Sequence, residues 1–169
     1  MNLVNIKVRR YPQFIKGIVI ENGRRWLAIA ENIVDYVLDG YLFLNVAYID
    51  EIYEISHESL EYQVLLLKKP QQSFACLDDY ISLMNYLKSE KLLIAVGLHK
   101  QQSFVVGFIK GIYNNSFVLY AIDVTLKKNY AVRVEYRTIR YISIMSDYLL
   151  SISNYLDGHW NISETLKND

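Results

Sequence analysis

The sequence predicts a mainly β chain with some helix: two small five-stranded barrels in tandem, each followed by a helix, with a further helix between them. Three observations lead there. Short runs alternate apolar and polar residues, their order recurs ninety residues on, and helical periodicity follows at matching places. Phe14-Ile15-Lys16-Gly17-Ile18-Val19 stands ninety residues before Phe104-Val105-Val106-Gly107-Phe108-Ile109. At that offset Ile6 meets Val96, Val8 meets Leu98, Ile49 meets Ile139, Ile52 meets Ile142 and Ser56 meets Ser146. One inserted residue in the second copy aligns Trp26–Ala30 with Phe117–Ala121.

Each element has a local reason. Val4, Ile6 and Val8 alternate as a half-buried strand does, and Tyr11-Pro12-Gln13 turns the chain. A longer strand from Phe14 ends at Asn22-Gly23, the strongest short hairpin signal, because a type I′ turn needs positive φ at both central residues. Gln101-Gln102 and Asn114-Asn115 fill these roles in the second copy. Strands follow over Trp26–Glu31, Tyr41–Ala47 and Ile49–Ile55, and over Phe117–Ile122, Tyr130–Tyr136 and Ile139–Met145. Leu60, Val64 and Leu67 space a helix that Pro70 stops. Tyr148, Ile152, Tyr155 and Leu156 space its counterpart, with Ser146 as N-cap. Between the copies, Leu77, Tyr80, Ile81, Met84 and Leu87 form one stripe, with Asp78 and Asp79 in the first turn and Lys88 and Lys91 at the end. The expected units are a first barrel with its helix over 1–70, a linking helix over 74–91, a second barrel with its helix over 92–157, and a tail over 158–169.

Composition narrows the function classes. Of the 169 residues 52% are hydrophobic and 21% charged, which excludes disorder as the default state. Eighteen bases balance eighteen acids, which disfavours a dedicated nucleic-acid binder. The N-terminus shows no secretory pattern and no apolar run reaches the ~20 residues of a bilayer span, so a soluble cytoplasmic protein without membrane contact is expected. Cys76, the lone cysteine, fits that compartment.

Five short strands around a glycine-bearing one are the plan of an SH3-type small barrel, and the apolar frame resembles the Sm-like family. Ile6-Lys7-Val8 through Gly17, Trp26–Ile29, Tyr41–Leu44 and Ile49–Ile52 carry the likeness, which covers 3–56 and 93–146. The resemblance implies a glycine that lets the sheet bend and a barrel that closes its own edges. It also implies an RNA pocket with an acid six residues past the glycine, an Asn ten past it and a later Arg-Gly pair. Here those places hold Gly23 and Leu27, Tyr113 and Phe117, and Asn45-Val46 and Glu135-Tyr136, so the pocket does not carry over.

Motifs for catalysis are absent: no GxSxG, P-loop or GxGxxG occurs, and His57, His99 and His159 have no metal-ligand spacing. No enzyme activity, cofactor or metal is expected. Asp35, Asp39, Asp50, Glu51 and Glu54 read as solvated loop charges. Fifteen tyrosines, many at strand ends, suit rims and interfaces. The expected function is a non-enzymatic protein-interaction module, its partner another protein or a second copy of the chain, held through Trp26 as aromatic anchor with Arg24, Arg25 and Tyr41. The alternative is an Sm-like RNA binder using the basic face of the second copy, Lys127, Lys128, Arg133, Arg137 and Arg140.

Overall fold

A computed structural model describes residues 2–68, 70, 72–99, 104–123, 125–126 and 129–159, the side chains of 129 and 159 excepted. The Gln101-Gln102 turn, Lys127, Lys128 and nearly all of the expected tail lie outside the described residues. The strands are β1 (Leu3–Val8), β2 (Phe14–Asn22), β3 (Trp26–Val34), β4 (Val37–Asn45), β5 (Ile49–Glu54), β6 (Ile94–Leu98), β7 (Phe104–Ile112), β8 (Ser116–Ile122), β9 (Asn129–Glu135) and β10 (Ile139–Ile144). The α-helices are α1 (Leu60–Leu66) and α2 (Tyr80–Ser89), which lie between β5 and β6, and α3 (Asp147–His159), which follows β10. A 3-10 turn precedes each of β5 and β10, at Val46–Tyr48 and Tyr136–Thr138.

The mainly β class holds, but the two closed barrels do not form. All ten strands make one open antiparallel sheet in the order β5-β1-β2-β3-β4-β10-β6-β7-β8-β9. Closing a barrel requires a partner for the outer edge of β4. That partner is β10, which puts Tyr141, Ile142, Ser143 and Ile144 opposite Leu44, Phe43, Leu42 and Tyr41. The backbone groups that closure would have satisfied within the first half are satisfied between halves instead.

Pairing register is the same in both halves at an offset of ninety residues. Gly17 faces Glu31 and Gly107 faces Ala121; Leu27 faces Leu44 and Phe117 faces Val134. The bulges between Val19 and Glu21 and between Ile109 and Gly111 also coincide. No inserted residue is needed in the second half, so Trp26 corresponds to Ser116 rather than Phe117. Gly17 has a packing reason: an added Cβ would lie 2.5 Å from the Ala30 carbonyl oxygen, and at Gly107 it would meet the Tyr120 oxygen in the same way.

The first hairpin also differs. Gly23 N–H donates to the Trp26 carbonyl (2.9 Å), so Arg24-Arg25 forms the two-residue loop. Neither Asn22 nor Gly23 has positive φ. Gly23 is needed for another reason: a Cβ there would run into Leu77.

Two cores lie on opposite faces of the continuous sheet. Leu42 and Leu44 join Val4, Ile6, Val8, Ile15, Leu27 and Ile29 on one face. Phe43, between them, joins Trp26, Ala28, Phe74 and the second half's Val96, Phe117, Leu119 and Ile142 on the other. Strand alternation alone produces this division. Helix α2 seals the larger core with Leu83, Met84 and Leu87. It starts later than the stripe suggests: Asp79 is its N-cap, accepting from the Ser82 N–H at 2.8 Å. Leu77 lies before the helix, where its carbonyl accepts from the N–H groups of Arg25 and Trp26. Helix α1, capped by Ser59, covers Leu3, Ile18 and Ala30. Helix α3 covers Leu93, Ala95, Val106 and Phe108, and Ser146 accepts from the Leu149 N–H as its N-cap should. Among the described residues, no helix is long and apolar enough to cross a membrane.

Candidate interaction surface

The expected aromatic anchor is not at the surface. Trp26 is 0% exposed, and its indole meets Tyr80 edge-on at 5.6 Å. The segment from Phe74 to Leu77 and the start of α2 lie over the hairpin, which the sequence between the halves did not reveal. Tyr41 is half-buried and packs edge-on against Phe74. Arg25 stacks its guanidinium over the Tyr80 ring at 4.8 Å, and exposed Arg24 is held by a backbone N–H bond to Asp78. These four residues therefore surround a buried aromatic cluster and share no open face.

The basic residues of the second half also divide. Arg133 is exposed and stands 4.9 Å from the Tyr113 ring centre. Arg137 is exposed and pairs with Glu135 at 2.7 Å, beside a cavity of about 530 Å³ that Arg133 and Tyr136 also line. Arg140 is only 4% exposed, donating to the Arg10 carbonyl at 3.1 Å and lying over Tyr11. It cannot contribute to a basic surface, because the bulged start of β10 turns it between the halves. Lys127 and Lys128 lie outside the described residues.

What the fold leaves open are its two terminal edges. Among the described residues, strand β5 pairs only with β1, and β9 only with β8. Every residue of β5 after Ile49 is exposed, including Ile52 at 50% and Tyr53 at 48%. Ile55 N–H donates inward to Leu3, so strand alternation turns the N–H groups of Glu54 and Ile52 outward, toward the free side. On β9, Tyr130, Ala131, Arg133 and Glu135 are exposed while Val134 is buried.

The edges carry opposite charge. Asp50, Glu51 and Glu54 make β5 acidic, and Arg9 on the neighbouring turn holds Asp50 at 3.0 Å. Among the described residues, Arg133 and Arg137 outnumber Glu135 along β9 and the turn after it. Charged edge residues normally prevent strands from pairing with a like edge. Here the two open edges differ in sign, acidic at β5 and basic at β9 with the turn after it. Asp50, Glu51 and Glu54, read as solvated loop charges, fall within the strand expected over Ile49–Ile55 and are exposed along it.

The join at the centre of the molecule shows what such a contact looks like. Strands β4 and β10, which occupy the positions of β9 and β5 in their own halves, are already paired. The Asn45 side chain donates to the Ile139 carbonyl (2.9 Å), the Tyr48 hydroxyl donates to the Arg137 carbonyl (2.5 Å), and the Asp147 N–H donates to Asp39 (2.6 Å).

The remaining reactive groups point elsewhere. Cys76 is half-buried, and burial, with help from Glu21 and Asp79, pushes its thiol up, away from nucleophilic use. His99 stacks on Tyr48, and His57 lies 4.4 Å from the Tyr62 ring. No family model, curated protein or solved structure matches the chain.

Proposed function

We propose that the chain is a non-enzymatic cytoplasmic protein-interaction module whose partner is a second copy of itself, joined head to tail with β9 of one copy against β5 of the next. One observation carries the reading: the sheet stays open at the same two strand positions that already join its own halves. Copying the central register outward sets Glu51 opposite Val134, Ile52 opposite Arg133, Tyr53 opposite Val132 and Glu54 opposite Ala131. Glu54 then lies diagonal to Arg133 on one face, within reach of a long side chain. Ile52 and Tyr53 lose water, and the outward N–H groups of β5 gain acceptors.

The outer contact is weaker than the inner one for identifiable reasons. Gly40, with φ of 74°, allows the close approach of β10 at the centre, where an added Cβ would lie 2.5 Å from the Ser146 nitrogen. Tyr130 stands ninety residues on and sets a bulky side chain where the centre has none. Arg133 likewise replaces Phe43, exchanging apolar burial for charge. A heterologous contact of this kind closes a ring or extends a filament. The Sm-like reading of each half belongs to this proposal, supported by the glycine on the second strand and the recurring register.

Sedimentation velocity tests the reading. At low salt the weight-average mass should rise between about 1 and about 100 µM, and about 0.5 M salt should reduce it by screening the edge charges. Ile52→Pro removes an outward N–H that has no strand partner among the described residues, a position where an edge strand tolerates proline. Glu51→Lys with Glu54→Lys reverses the edge charge. Each should weaken association at least tenfold (about 1.4 kcal/mol) without loss of the folded state. A monomer at every concentration would overturn the proposal, as would variants that associate like the wild type. Oligo-U binding that survives about 150 mM salt would favour the RNA reading instead.

A further inference from the structure

A cleft unrelated to the edges lies where the two halves meet, on the face opposite α2. It has a volume of about 250 Å³ and an aliphatic floor drawn from both halves. Its polar groups include the carboxylates of Glu31 on β3 and Asp39 on β4, the phenols of Tyr11, Tyr141 and Tyr148 and the hydroxyls of Ser143 and Ser146, with Phe104 completing the wall. The aromatics form two edge-on pairs, Tyr11 with Tyr141 and Phe104 with Tyr148, each at 6.0 Å. The central join builds this site: β10 supplies Tyr141, and Asp39 is fixed by the N–H of Asp147 at the start of α3.

Such a lining selects its ligand by chemistry. Two carboxylates on one side exclude anions. Aromatic faces and an aliphatic floor suit the methylene groups next to a charged nitrogen better than a hydrated metal ion. Among the described residues, no group of three acidic, histidine or cysteine side chains is placed to hold a metal. We propose that this cleft binds an alkylammonium group, with Glu31 and Asp39 taking the charge and Tyr11 and Tyr141 packing on the adjacent carbons.

The state of Glu31 makes the proposal measurable. Burial, then the Asp39 carboxylate, pushes its carboxyl up to about 7. Around it stand Asp39 from β4, Tyr11 from the β1–β2 turn, Arg140 and Tyr141 from β10, and Tyr148 from α3. A bound ammonium favours the carboxylate, so Glu31 releases its proton to solvent as the ligand enters. Affinity therefore rises through neutral pH and levels off above it. With half-ionisation near pH 7, binding at pH 6 should be about tenfold weaker than at pH 8.

The test is a titration of the intact chain with butylammonium, followed by the NMR signals of the Tyr11 and Tyr141 rings. Butan-1-ol serves as the neutral isostere and Nα-acetyllysine amide as the same head group on a peptide. Saturable butylammonium binding with the tenfold pH effect is expected, and butan-1-ol should bind at least tenfold more weakly. Glu31→Gln, which keeps shape and removes charge, should abolish the pH effect and weaken binding at pH 8 at least tenfold. Preference for the lysine derivative would assign the head group to a protein side chain, and preference for butylammonium to a free amine. Shifts that do not saturate by about 50 mM, equal binding of the alcohol, or unchanged binding by a folded Glu31→Gln chain would each overturn the proposal. Because no residue of β5 or β9 lines the cleft, Ile52→Pro should leave amine binding intact, so failure of the edge proposal and failure of this one remain distinguishable.

Discussion

Replacing Trp26 with alanine lowers the unfolding free energy by about 3–5 kcal/mol, the range for removing a large buried aromatic side chain. The indole is fully buried in the core that both halves share, in one cluster with Phe43, Phe74 and Leu83, so its removal leaves a cavity closed to solvent. Trp26→Phe should cost far less. It keeps the edge-on contact with Tyr80 and discards an indole N–H that has no hydrogen-bond partner among the described residues. Urea unfolding at pH 7 checks both, with the midpoint order wild type, then Phe, then Ala. An alanine variant within about 1 kcal/mol of wild type would mean that this core is not shared as described.

Stability falls as pH rises from about 4.5 to about 7, and Glu31 accounts for the fall. Its carboxyl is pushed up to about 7 in the folded chain from the ordinary 4.5, chiefly by burial. Between those values the folded state holds more protons than the unfolded one, so raising pH favours unfolding there. Below 4.5 both states are protonated and the penalty vanishes; above 7 it is complete, on the order of 3 kcal/mol. Glu31→Gln should remove this fall and leave the protein more stable at pH 8 by a similar order. The check is the difference between the two unfolding curves across pH 4–8, since other groups cancel in it. A parallel pair of pH profiles would show that Glu31 is solvated. A carboxylate kept where it destabilises the fold also fits a role in binding.

Much of the local structure was legible because it depends on local pattern. Alternation located β1, the repeat carried that reading to β6 and β7, and Met84 and Leu87 of α2 lie in the stripe visible in sequence; buried Leu83 is not in that stripe, and its member Ile81 is exposed. The joining of the halves was not legible in that way. Hydrogen bonds between β4 and β10 leave no mark on side-chain alternation, and barrel closure was the default use of a free edge. One signal was present: Leu42, Phe43, Leu44 and the run Trp26–Ala30 are apolar on both faces, as strands buried on both sides are. The same oversight left Trp26 open between an exposed anchor, which its two arginine neighbours suggested, and a plug in the core, which it is. Those arginines form the hairpin loop, and the tryptophan begins a strand covered on both faces. Glu31 was not singled out, because its cleft is assembled from β3, β4, β10 and α3 and has no contiguous sequence.

Head-to-tail pairing is tested most directly by a cysteine at each edge of a Cys76→Ser chain. Glu54→Cys and Ala131→Cys place one thiol on β5 and one on β9, directly opposite each other in the register copied from the central join. Mild oxidation should then give a reducible ladder of linked chains. The shifted pair Glu54→Cys with Val132→Cys should not, because a one-residue slip turns one thiol to the other face of the sheet. No ladder from the first pair, or equal ladders from both, would contradict the account.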